Sequence, residues 1–239
     1  MQVSSLVFVL VVWEAVARLL HSSGLPPVTQ VIPRVVTLMV SGEAWGPLGS
    51  SFLRTVLGFA LGFTTGVCYG ILSFVFLNFE RFTRCLFKIV LFTPTLILIF
   101  VSLVALGRND LTVVLVVGVV VGATVGVYMR DAIRDFDIDL VGMALSYKVP
   151  VKNQFLEMYL PFLVPAGLAA GRIGFALAWK VAFLTEVFGF PGGLGWQVSN
   201  SYTIYDIRSL MAWLVLFVCA LLLVEQVIRW LERRFVKWE

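Results

Sequence analysis

Six apolar runs, each close to the roughly twenty residues that cross a bilayer as a helix, set the terms for this chain. They are Val3–Leu20, Phe52–Leu77, Leu86–Leu106, Leu111–Met129, Phe162–Phe188 and Leu210–Ile228. Inside hydrocarbon every peptide group must find its partner within its own segment, so each run is expected to be a helix. Water is excluded as the solvent by composition. Of 239 residues, 60% are hydrophobic and 13% charged, against about 25% charged in soluble domains. A chain this short cannot enclose so much apolar surface in a core of its own. The expectation is an all-α membrane protein of about six transmembrane helices, one domain over 1–239. Residues 1–50 form the first helix and an outer connecting segment, and 51–239 the core. The first run lacks a basic leader and a small-x-small cleavage site, so it is read as a retained helix rather than a signal peptide.

Basic residues orient the chain. With the N-terminus inside, the inner loops and tail hold Arg81, Arg84, Lys88, Arg130, Arg134, Lys148, Lys152, Arg229, Arg233, Arg234 and Lys237. The outer segments hold Arg34, Arg54, Arg108 and Arg208. Eleven against four places both termini in the cytoplasm. Trp45 and Trp196 outside, with Trp230 and Trp238 inside, suit anchoring at the two interfaces. Glu14 and Arg18, four apart on the first helix, neutralise one another.

Gly58, Gly62, Gly66 and Gly70 recur every fourth residue in the second run, and Gly118, Gly122 and Gly126 do so in the fourth. That spacing keeps one helix face free of side chains, so a neighbouring backbone can approach. Gly167 and Gly171 repeat it in the fifth. Such faces serve either as tracks for sliding or as static contacts. The lone histidine, His21, reads as a loop residue and leaves no material for a histidine metal site or catalytic triad. Cys68, Cys85 and Cys219 sit in or beside apolar runs without a CxxC pattern, and read as reduced core thiols.

The longest polar interruption on the inner side is RDAIRDFDIDLVGMALSYKVPVKNQFLEMYLPFLVP, 130–165. Leu140, Val141, Ala144 and Leu145 form one apolar stripe, and Phe155, Leu156, Met158 and Tyr159 begin another. Pro150 cannot continue the first helix, so two short helices joined by a bend are expected. Their stripes require an apolar partner: this protein's own helix ends, or a groove on another protein.

This segment, followed by GLAAGRIGFALAWKVAFLTEVFGFPGGLGWQV, resembles the binding-protein-dependent permeases of ABC importers, and more narrowly the nitrate/sulfonate/taurine/pyrimidine-precursor branch. The family's inner-loop pattern is Glu-Ala-Ala, three residues, Gly, then a run ending in Leu-Pro. Counting back from Leu160-Pro161, the Glu position is Gly142, the Ala positions are Met143 and Ala144, and the Gly position is Lys148. The second Ala and the Leu-Pro match; the Glu and the Gly are replaced. VVWEAVARLL, GLPPVTQVIPRVVTLMVSGEAWGPLGSSFLRTVLGFALGFTTGVCYGIL, FTPTLILIFVSLVALGRND and TEVFGFPGGLGWQVSNSY follow the branch in order, so the resemblance covers nearly the whole chain. It implies the type I ABC importer permease fold in the plasma (inner) membrane. It further implies a coupling loop at about 130–161, where Gly142, Met143, Ala144, Leu145, Lys148, Pro150 and Lys152 dock on an ATPase. The implied partners are a second permease, identical or a sister chain, two ABC ATPase subunits and a substrate-binding protein, with lipid around them and no nucleic acid. No Walker A pattern occurs in the chain, so ATP and Mg belong to the partner ATPases, and the chain binds no cofactor and catalyses no bond chemistry of its own. Lys148 and Lys152 either meet acidic residues there or are plain solvated charges. The Gly-rich outer segment is either a lid near the binding protein or a connecting loop.

Charge within the bilayer normally faces a partner or a wet cavity. Arg172 and Lys180, eight residues apart and so about 80° apart around the fifth helix, are candidates to line a pathway for an anion. Trp179 and Glu186 join them as candidates. Internal pairing with Glu186 or with a helix end is the alternative. Thr93 and Thr95, around Pro94, offer hydroxyls at a local break. An ion-driven transporter would call for more intramembrane carboxylates than Glu14 and Glu186, and an enzyme for a catalytic constellation. A passive scaffold has no use for an amphipathic inner loop.

Overall fold

The computed structural model describes residues 2–20, 24–189 and 192–235, so His21, Phe190, Pro191, Lys237 and Trp238 lie outside the described residues. Every regular element among them is helical: α1 (Gln2–Leu20), α2 (Val28–Val40), α3 (Trp45–Val75), α4 (Leu77–Phe92), α5 (Thr95–Leu106), α6 (Asp110–Arg134), α7 (Ile138–Ser146), α8 (Val151–Gln154), α9 (Leu160–Gly189), α10 (Leu194–Thr203) and α11 (Ile207–Phe235). A single π-turn, Phe155–Tyr159, fuses α8 to α9. Among the described residues four helical stretches are long and apolar enough to cross a bilayer: Trp45–Val75, Asp110–Arg134, Val151–Gly189 and Ile207–Trp230. The expected third span is broken: α4 and α5 meet at 100° around Thr93-Pro94, because Pro94 donates no N–H and disfavours a helical residue before it.

The chain divides into two compact units, residues 54–182 with 225–239 and residues 1–53 with 183–224. The first is organised by α6. Its valine-rich sequence would make a mediocre helix in water, yet in lipid the backbone has no other partner for its amides. Asn109 caps its start, accepting the Thr112 N–H at 2.9 Å, and Val113, Val117, Val121 and Val125 are buried. The two glycine series meet across α3 and α6. A Cβ at Gly62 would lie 2.8 Å from the Gly118 carbonyl oxygen, and one at Gly66 would lie 2.9 Å from that of Gly122. In return, Leu61 sits over Gly118, Thr65 over Gly122, and Tyr69 with Phe87 over Gly126. Gly58 and Gly70 meet Val117 and Met129 in the same way. Gly167 differs: a Cβ there would touch nothing within 4 Å. Ion pairs fasten both ends of α6, with Arg54 Nε to Asp110 Oδ1 at 2.6 Å at the start and Arg134 to Glu80 at 2.6 Å at the end.

In the second unit α1 packs on α2. Trp13 Nε1 donates to the Pro26 carbonyl at 3.2 Å. Glu14 pairs with Arg18 at 2.7 Å and also accepts the Thr29 hydroxyl and N–H, so it caps the first turn of α2 as well as neutralising its neighbour. Arg34 donates to the Ser209 hydroxyl at 2.9 Å. Asp206 caps α11, accepting the Ser209 N–H at 3.1 Å. The Ser209 hydroxyl bonded to the Asp206 carboxylate, with its backbone N–H and the Arg34 and Arg208 charges, holds that carboxyl below its usual pKa. All three cysteines are free but exposed. Thiols are apolar enough to face lipid, so membership of an apolar run did not make them core residues.

Gly62→Ala is expected to destabilise the detergent-solubilised protein by about 1–3 kcal/mol through overpacking. Gly46→Ala, where nothing lies within 4 Å, should be neutral or gain up to about 1 kcal/mol from helix propensity; thermal denaturation of the pair compares them. Because the Asp206 pKa is depressed, its stabilising contribution is present above about pH 4, the unfolded value, and lost as pH falls through the folded one. Asp206→Ala should cost about 1 kcal/mol at neutral pH and flatten that acid dependence. Melting curves between pH 7 and about pH 3 test both statements.

Candidate functional site

The segment after α6 is held from behind and open in front. Phe136, 8% exposed, stacks on Tyr159 at 4.9 Å and meets Phe162 edge-on at 5.1 Å. These rings border an apolar cavity of about 210 Å³ that also touches Ile71, Phe74 and Ile133. Just before it, Glu80, 2% exposed, takes both Arg84 at 2.8 Å and Arg134 at 2.6 Å on one carboxylate oxygen. The carboxylate therefore ties α4 to the end of α6 where the segment begins.

Asp137 caps α7, accepting the Asp139 N–H at 2.9 Å. The far end closes as a Schellman turn: Val149 N–H reaches back to the Ala144 carbonyl and Lys148 N–H to that of Leu145, both at 3.0 Å. Such a turn needs a left-handed residue at its fifth position and favours glycine there. Here that residue is Lys148, with φ of 54°, at a cost of about 1 kcal/mol or more for an L side chain. The buried Gln154 then donates to the Val149 carbonyl at 2.8 Å and fixes the corner at Pro150.

The stripe expected on α7 is split. Ala144 is 4% exposed and turns inward, whereas Leu145 is 62% exposed, and Leu140 and Met143 also face out. Gly142 is exposed, with nothing within 4 Å of where a Cβ would stand. Lys148, Pro150 and Lys152 are exposed too. The second short helix does not exist as a separate element. Pro150 caps α8, and the π-turn carries it into α9, with the Leu160 N–H bonded to the Phe155 carbonyl five residues back. That wider turn makes room for the ring of Pro161, which would crowd the carbonyl four residues earlier in a regular helix.

The residues proposed for a pathway separate into groups. Arg172 and Lys180 are exposed on α9, while Trp179, next to Lys180 in sequence, is buried. Thr93 is half-exposed and bonds its hydroxyl to the Ile89 carbonyl at 2.6 Å; Thr95 is half-exposed at the first position of α5. Glu186 is fully buried. It accepts the Ser51 hydroxyl at 2.6 Å and the Gly195 N–H at 3.1 Å, and Ser51 accepts the Leu194 N–H at 2.8 Å. It is thus the cap of α10, set where a helix start favours negative charge. A Cβ on Gly193 would strike the Glu186 carboxylate, and one on Gly195 would strike the Phe183 carbonyl and Glu186. The glycine-rich segment lets the α10 start approach that close. One feature escaped the sequence reading: a groove of about 570 Å³ lined by Thr124, Tyr128, Asp131 and Asp135 of α6 and its cap, with Leu91 and Ala166. Polar residues spaced four, three and four apart along a valine-rich helix were the available signal.

Residues 58–237 match the family described as binding-protein-dependent transport system inner membrane component. The chain belongs to that family. It is therefore a multi-pass inner-membrane protein and an importer permease rather than an enzyme. It is 24% identical to a Bacillus subtilis (strain 168) protein named as the aliphatic sulfonates transport permease SsuC, over 96% of this chain and 84% of that one. It is 25% identical to the SsuC of Escherichia coli (strain K12), over 96% and 88%. The nitrate import permease protein NrtB of Synechococcus elongatus (PCC 7942) is 22% identical over 81% and 73%. The fold matches a chain of the MetNI methionine ABC transporter, solved in inward-facing conformations, with a TM-score of 0.69 at 17% identity, covering 80% of this chain and 95% of that one.

Glu80→Gln keeps the shape and one acceptor but removes the charge shared by two guanidinium groups. It is expected to lower stability by about 1–3 kcal/mol. The loss should shrink in Arg134→Gln background, a coupling that a double-mutant cycle on melting temperature measures.

Proposed function

We propose that the chain is the membrane-spanning half of an ABC importer, pairing with an identical or sister permease and with two ATPase subunits that bind ATP and Mg. A substrate-binding protein delivers solute on the outer side, and both termini are cytoplasmic. The observation carrying this reading is the α7 tip: Met143 and Leu145 project outward from an element fixed behind by Phe136, Glu80 and Gln154. Apolar side chains on a braced helix outside the bilayer fit a groove on a partner. An element so braced moves as one piece with the helices behind it, so closure of the docked ATPases is passed to α6 and α9 as a rigid displacement. Alternating access follows as the populations of inward- and outward-open states shift with nucleotide.

The solute is small. The sulfonate and nitrate names carried by relatives, with Arg172 and Lys180 exposed on α9, support an anion. Lys180 lies nine residues before the end of α9, about 13 Å from it, too deep to reach the interface and therefore suited to a wet path. The α6 groove with Thr124 and Tyr128 supports a route beside that helix. Trp179 and Glu186 serve packing and capping, and Thr93 and Thr95 mark the break in a span.

Met143→Asp with Leu145→Asp tests the docking surface without disturbing the buried Ala144. The variant should insert and melt as the parent does, lose the ATPase subunits on co-purification and reduce ATP-dependent uptake in vesicles by about tenfold or more, as truncation of a central anchor does. Uptake at the parental rate would overturn the assignment.

A further inference from the structure

Two lysines at the α7–α8 corner occupy positions that local energetics disfavour. Lys148 takes the left-handed backbone conformation of the Schellman turn, where glycine would fit without steric cost. Lys152 lies in the first turn of α8, beside the positive end of a helix dipole, where a cation is repelled. Both are exposed, and among the described residues neither has an ion-pair partner in the chain. Neither position is explained by the stability of the corner.

We propose that Lys148 and Lys152 form a two-point cationic clasp for carboxylates on the rim of the ATPase groove that receives Met143 and Leu145. This rests on the docking assignment above and adds the chemistry of the partner's surface. Exposed Asp135, Asp137 and Asp139 stand at the opposite end of α7. Nine helical residues separate the two ends by about 13 Å, beyond the roughly 8 Å screening length of physiological salt, so the two charge groups act separately. The docking face thus has a direction: acidic where α7 begins, apolar in its middle, basic where α8 begins. A partner seated backwards would set carboxylate against carboxylate, and like charges across an interface suppress wrong registers. The same three aspartates disfavour an anionic lipid surface as the lysines' target, because it would repel them.

The test uses the whole importer in nanodiscs, with and without anionic lipid, and measures ATPase-subunit affinity against salt together with the melting temperature of the permease alone. Lys148→Gly should raise the melting temperature and weaken ATPase binding. Lys148→Glu with Lys152→Glu should weaken binding at least about tenfold at low ionic strength, the difference fading towards about 1 M salt. Acidic-to-lysine substitutions on the groove rim should restore it. Unchanged binding in both lysine variants would refute the clasp, as would an effect confined to anionic-lipid discs. The Met143→Asp, Leu145→Asp variant separates the two levels: if it releases the ATPase while the lysine variants do not, the clasp alone fails. If it too leaves binding intact, the docking assignment fails with it.

Discussion

Backbone against backbone is the contact on which the unit built around α6 depends. Lipid tails are as apolar as leucine, so helices in a bilayer gain little from burial and must gain from close packing. α3 and α6 obtain it by leaving seven positions without side chains, each filled by a ridge of the opposite helix. The geometry tolerates no added methyl group at Gly62 or Gly66, where a carbonyl oxygen already stands within 3 Å of a Cβ position. Ion pairs then tie the start of α6 to α3 and its end to α4. Given that arrangement, α3 and α6 behave as one post, and α7 is its continuation after three residues. This favours the static reading of the glycine faces over the sliding one.

Much of this was readable in the residues. Apolar runs marked the helices, fourfold glycine spacing marked faces of close approach, and Pro150 marked the corner. The departures share a cause, which is that periodicity names a face but not what lies opposite. Ala144 and Leu145 look equivalent in a stripe, yet one turns inward and the other outward. Glu186 was open to either a pathway role or a helix end, because Ser51 is distant in sequence and the α10 start is hidden in a glycine-rich stretch. The stretch after Pro150 looked like a short helix of its own because an apolar stripe restarts there; a π-turn, which has no sequence period of its own, carries it on into α9. Lys148 was visible as a replaced glycine, but only the Schellman hydrogen bonds reveal that its backbone still follows the glycine's conformation.

Family membership and geometry bear on different questions. The family match supplies the class of machine. The geometry supplies how this member is braced: an aromatic wedge at Phe136 and a shared carboxylate at Glu80 where the segment begins, and an amide strut at Gln154 at its far corner. Where the family's Glu is replaced by Gly142 the surface is open, and the corner carries the exposed cations Lys148 and Lys152.

The cap on α10 has a consequence for biogenesis. Ser51 must wait for Glu186, 135 residues later, and for the Leu194 amide, 143 residues later. During synthesis the first segment of its unit therefore enters the membrane before either contact can form, while the glycine faces of α3 and α6 can already meet. Contacts within residues 54–182 can therefore form before those that join residues 1–53 to residues 183–224. A chain stopped before residue 186 would hold both glycine faces of α3 and α6 and yet lack the carboxylate that Ser51 meets.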